Sequence, residues 1–115
     1  MVKLAQLRRI ALSFPNVEER ASHHTPGFSV KGKFLAWLPS DEILVIKIDA
    51  MHREILMQAE PETFYLTDHY KPVRPNGWTY VLVKLACVRE GDLHDLFERA
   101  WRHEAPKRLV KSVAT

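Results

Sequence analysis

The sequence predicts an α+β fold, an antiparallel sheet of about five strands with helices packed on one face. Three observations carry this. Helical spacing of apolar residues appears at both ends of the chain and once, briefly, in the middle. The segments between are short and rich in β-branched and aromatic residues. The connections joining them are of hairpin length, which suits antiparallel neighbours better than parallel ones. At 115 residues the chain fits one domain with a core large enough to need no disulfide or metal staple.

Taken in order, Leu4, Leu7, Ile10, Ala11 and Phe14 recur at helical spacing, with Gln6, Arg8 and Arg9 on the other side. This predicts an amphipathic helix ended by Pro15. "FSV" and "KFLAWL" read as two strands joined through Lys31-Gly32-Lys33, where glycine supplies the positive φ of a tight turn. "EILVIKI" is a third strand. Asp49 can cap a short helix, "AMHREILMQA", that stops before Pro61. "TFYL" is a fourth strand, "DHYKPVRPNG" a turn-rich loop, and "WTYVLVKLACV" a long fifth strand. Asp92 can cap a final helix whose apolar face is Leu93, Leu96, Phe97, Ala100 and Trp101. "APKRLVKSVAT" is a basic tail with room for one more helical turn.

Composition limits the function. The lone Cys87 cannot form an internal disulfide, the first residues lack the apolar core of a signal peptide, and no apolar run spans a membrane. These features predict a cytoplasmic protein with no membrane partner. The net charge of +3 hides a segregation. Residues 34–69 carry seven acids against two bases, and the rest carry fifteen bases against seven acids. Such a surface has two signs, one suited to an anion.

Candidate chemistry is sparse. His23 and His24 are adjacent, and neighbours on an extended chain point apart, so they do not form a metal site. His94 and Glu98 share a helix face and read as a surface ion pair. Cys87 reads as inert strand packing, and no nucleophile elbow, dinucleotide fingerprint or phosphate loop is present. The expectation is a protein that is not an enzyme and carries no metal or cofactor. The basic elements are more informative. Lys31 and Lys33 flank a hairpin tip, and Lys71 and Arg74 lie in a loop beside Tyr70, Asn76 and Trp78. Cations of this kind neutralise phosphates and such rings stack on bases. Lys107, Arg108 and Lys111 extend the basic surface, while Trp101 belongs to the core.

The stretches "LRRIALSFPNVEE", "HTPGFSVKGKFLAWL", "HYKPVRPNGWTYVLVKL" and "LFERAWRHEAPKRLV" resemble, in order, the MmcQ/YjbR family of small bacterial proteins. The resemblance implies a curved sheet backed by two helices, similar to frataxin and its bacterial counterpart CyaY, and a double-wing mode of DNA binding. It does not carry iron binding with it. The acidic first helix of frataxin-like proteins is replaced here by Lys3, Arg8 and Arg9, and hard cations need clustered carboxylates. The expected function is therefore a monomeric binding module for nucleic acid, acting through Lys31, Lys33, Tyr70, Lys71, Arg74, Trp78, Lys107 and Arg108. The alternatives are a protein-interaction module using the acidic half or an exposed sheet face, and a small-molecule binder or enzyme using the concave sheet face near Trp37, Tyr70 and Trp78.

Overall fold

The computed structural model describes residues 2–22 and 24–114. Its elements are α1 (Leu4–Leu12), β1 (Val17–Ser22), β2 (Thr25–Val30), β3 (Lys33–Trp37), β4 (Ile43–Asp49), α2 (Ala50–Ala59), β5 (Phe64–Tyr65), β6 (Trp78–Lys84), α3 (Glu90–Glu104) and α4 (Lys107–Ala114). The strands form one antiparallel sheet in the order β1-β2-β3-β4-β6-β5, with β6 inserted between β4 and β5.

The sheet has six strands where about five were expected. The extra one is β1, whose sequence VEERAS has no alternating apolar pattern. It lies at the edge and is held by its backbone register on β2, from Val17↔Val30 to Ser22↔Thr25. The expected fifth strand is shorter than its apolar run. The chain leaves the sheet after Lys84 and turns at Leu85–Cys87, where the Cys87 N–H donates to the Lys84 carbonyl at 3.0 Å. Cys87 is therefore exposed in a turn and is not buried strand packing.

The helices follow their sequence signals closely. In α1 the Gln6 side chain accepts from the Lys3 N–H at 2.8 Å, satisfying one orphan donor of the first turn. Asp49 caps α2 as expected, its Oδ2 accepting from the His52 N–H at 3.0 Å. Asp92 does not cap α3. Arg89 holds the N-cap position, and Asp92 sits within the first turn, where it accepts from Arg89 Nε at 2.8 Å. The tail forms a full helix, α4, after Pro106.

One apolar core joins α1 and α3 to the sheet. Leu7, Ile10 and Ala11 meet Leu93, Leu96, Phe97, Ala100 and Trp101 over Phe28, Val30, Leu44, Ile46, Val81 and Val83. Trp101 is a core residue, as expected. It is fully buried, and its Nε1–H donates to the Pro15 carbonyl at 2.9 Å. The alternation of β3 breaks once. Phe28 pairs with Ala36 but Ser29 with Phe34, so Leu35 is an extra residue that bulges the strand. Both Leu35 and Ala36 consequently enter the core.

Candidate functional site

The register brings the hairpin and loop residues among the expected site residues to one end of the sheet. Trp78 at the start of β6 pairs with Asp49 at the end of β4, and β3 begins at Lys33 beside that same end. The β2–β3 tip and the β5–β6 loop are thus two strand spacings apart, about 10 Å. At the tip Lys31 and Gly32 both take positive φ, 49° and 78°, the pattern of a two-residue turn matching strand twist. Lys31 and Lys33 are exposed there.

The β5–β6 loop is built by its own turn chemistry. It opens with a 3₁₀ turn at Asp68–Tyr70. The Gly77 N–H donates to the Arg74 carbonyl at 2.9 Å with Gly77 at φ 85°, and Asn76 Oδ1 accepts from the Trp78 N–H at 3.0 Å. Lys71 Nζ lies 2.8 Å from Asp68 Oδ1, but both groups are well exposed, so this pair is weak and easily exchanged for another anion. The Arg74 guanidinium donates to the Tyr80 hydroxyl at 3.2 Å and lies 5.8 Å from the centre of that ring.

The rings are engaged with one another. Tyr80 meets Phe34 of the hairpin at 6.0 Å and Tyr70 of the loop at 5.9 Å, so it links both basic elements. Burial pushes the Tyr70 hydroxyl pKa up, with Tyr80 adding to the shift. Trp78 stacks on His103 at 3.8 Å and 10°, so one indole face is already covered. His103 lies in the last turn of α3, four residues before Lys107, and Lys107 and Arg108 are exposed at the start of α4.

Three groups here carried no signal in the reading of single motifs. His103 is one. Lys47 and Glu104 form a nearly buried ion pair at 3.3 Å, which ties the end of α3 to β4. Arg53 lies buried on the inner face of α2, with Leu56 and Met57 at i+3 and i+4. An arginine in that register was the one available clue. The hollow between Lys47, Trp78, Tyr80, His103 and Glu104 holds only about 10 Å³, room for one water at most. Trp37 does not line it, and donates its Nε1–H to Thr25 Oγ1 at 2.8 Å.

The remaining candidates separate from this surface. His24 is exposed at φ 70° beside the β1–β2 pairing, and His23 lies outside the described residues. His94 packs on Phe14 at 5.1 Å, while Glu98 takes Arg102 as its partner at 2.9 Å in place of the expected histidine. Among the described residues, no three His, Cys, Asp or Glu side chains gather around one point, and no helix is long and apolar enough to cross a membrane.

Comparison with known proteins agrees with this architecture. The uncharacterized proteins Mb2600 of Mycobacterium bovis and Rv2570 of Mycobacterium tuberculosis are each 29% identical to this chain, in matches covering 90% of it and 89% of their own length. The crystal structure of the Deinococcus radiodurans protein DR2400, which carries a DUF419 domain, superposes with a TM-score of 0.70. That match covers 88% of this chain and 77% of the other at 22% identity, and it shows a shared fold. The YjbR family model matches residues 12–103, and the chain belongs to that family.

Proposed function

We propose that this member of the YjbR family is a non-enzymatic cytosolic module that binds nucleic acid through the phosphate backbone. The supporting observation is that two basic elements stand at one sheet end, with a third following α3 in the chain. They are Lys31 and Lys33 on the hairpin, Lys71 and Arg74 on the loop, and Lys107 and Arg108 at the start of α4. The hairpin and the loop are the two wings of this reading. Because the rings between them already contact one another, they brace the cations, and the lysines and arginines make the contact. The proposed likeness to frataxin extends to architecture and not to iron binding, since Arg8 on α1 is occupied by Glu19 at 2.5 and 2.7 Å and α1 has no acidic residue.

The test is a fluorescence titration with short duplex and single-stranded DNA at two salt concentrations. Affinity should fall steeply with salt. Changing Lys31, Lys33 and Arg74 together to Ala should weaken binding by about 1–3 kcal/mol with native circular dichroism. Salt-insensitive binding, or an unchanged triple variant, would sink this reading. A second reading, docking of a protein, is favoured by Met51 and Ile55, which stand 75% and 59% exposed one turn apart on α2. Its mark would be an association insensitive to salt and abolished by Ile55→Glu.

A further inference from the structure

Arg53 is 6% exposed and has no carboxylate partner among the described residues, a costly place for a cation. Its two terminal nitrogens are satisfied by carbonyl and hydroxyl oxygens. Nη1 donates to the Tyr70 carbonyl at 3.0 Å, the Tyr80 carbonyl at 3.1 Å and Thr79 Oγ1 at 2.8 Å, and Nη2 donates to the Lys71 carbonyl at 3.2 Å. The Thr79 hydroxyl in turn donates to the Pro72 carbonyl at 2.8 Å. Three successive loop carbonyls, those of Tyr70, Lys71 and Pro72, are therefore held directly or through one hydroxyl.

The same contacts close the outer edge of β6. Along that edge the Lys84 N–H is taken by the Thr63 carbonyl, and Leu82 pairs with Tyr65. Beyond β5, which is only two residues long, the Tyr80 carbonyl is taken by Arg53 and the Trp78 carbonyl by the Arg74 N–H. Arg53 thus stands in the gap between the last paired residue of β5 and the loop, where a longer β5 would otherwise have continued. Burial lowers its pKa, yet a guanidinium stays protonated in proteins, so all its donors remain available.

We infer that Arg53 is a positioning residue for the β5–β6 wing, which fixes where Lys71 and Arg74 stand before any partner arrives. This rests on the binding reading above, and it makes a separate claim about the loop alone. A lysine keeps the charge but offers one nitrogen in place of the fork's two, so it cannot make both the Nη1 contacts to Tyr70, Thr79 and Tyr80 and the Nη2 contact to Lys71. The distinguishing readout is that a positioning residue changes affinity without changing the number of phosphate contacts, because the same cations still meet the phosphates after being ordered.

The experiment compares wild type, Arg53→Lys and Arg53→Met by amide hydrogen exchange over residues 66–77, and by titration of duplex DNA across a salt series. Both variants should lose protection in that segment by about tenfold or more while α3 keeps its protection. DNA affinity should fall about tenfold, roughly the ordering of one backbone residue, with the salt slope unchanged. Loop protection retained in Arg53→Lys would overturn the role of the fork. Lost protection with full affinity would overturn the link to binding. Wild-type protein that binds no DNA would remove the function reading and that link, while the exchange data still decide whether Arg53 orders the loop.

Discussion

Replacing Glu104 with Gln tests how the end of α3 is held. Lys47 is 8% exposed, and its ammonium lies 3.3 Å from Glu104 Oε1. At an effective dielectric constant near 20, that separation is worth about 5 kcal/mol of attraction, set against the desolvation of both groups. The Glu104→Gln change would leave Lys47 buried without a counter-charge. Breaking such a pair costs about 3–5 kcal/mol when both groups are fully buried, and these side chains keep about a tenth of their exposure. The expected loss is therefore about 2–4 kcal/mol, a large share of the 5–15 kcal/mol that roughly bounds domains of this kind. His103 Nε2, 3.4 Å from the same carboxylate oxygen, cannot take the place of Glu104, because an imidazole is neutral or cationic and never an anion. Urea unfolding at pH 7, followed by circular dichroism, measures the loss. The double variant Lys47→Met, Glu104→Leu should recover most of it, since two apolar groups of similar volume leave no charge stranded. A Glu104→Gln loss under about 1 kcal/mol would refute this account, and so would a double variant as unstable as the single one.

Two further outcomes follow from other contacts. Lys107→Gln, Arg108→Gln and Lys111→Gln together should flatten the salt slope of duplex binding by about 2–3 and weaken all sequences alike, at roughly 0.9 per lost phosphate contact. A change of sequence preference would instead place recognition on α4. Glu19 accepts two hydrogen bonds from Arg8, which hold its pKa below the ordinary carboxylate value despite partial burial. A depressed folded pKa means this stability is present above the ordinary carboxylate range and is lost as pH falls through the folded value. The stability difference between wild type and Glu19→Gln should accordingly be constant at neutral pH and shrink on acidification. A difference independent of pH would show that the charge contributes nothing.

The elements legible in the sequence are those whose cause is local. The i, i+3, i+4 apolar rows of α1 and α3, the Asp49 cap and the Lys31-Gly32 turn each depend on residues within one turn of one another. What escaped has a distant cause. β1 is polar because an edge strand needs only backbone partners, so Glu18, Glu19 and Arg20 hide it from any hydrophobic pattern. The apolar run past Lys84 continues into Leu85 and Val88 because the turn there is itself buried at both ends, which reads as more strand. Asp92 has the chemistry of a cap, but the helix starts two residues earlier, at Glu90, and uses it as a partner for Arg89. The basic hairpin and loop were visible as residue types, whereas their meeting at one sheet end depends on the β3–β4–β6 register. The support beneath them, Arg53 reaching residues 17 to 27 positions away and Lys47 reaching Glu104, comes from tertiary folding alone.

The turn after β6 has a practical consequence. Cys87 is exposed and is the chain's single cysteine, and it hangs from the opposite end of β6 to Trp78. Seven strand residues separate the two ends, about 20 Å. A maleimide dye attached there would carry one label per molecule, at a known place, without any engineered thiol. It would leave the basic end of the sheet unobstructed while the tumbling of the whole particle slowed on capture of a larger partner. Fluorescence anisotropy from that position would thus report association with an unlabelled ligand of any chemistry, nucleic acid or protein, on one and the same preparation.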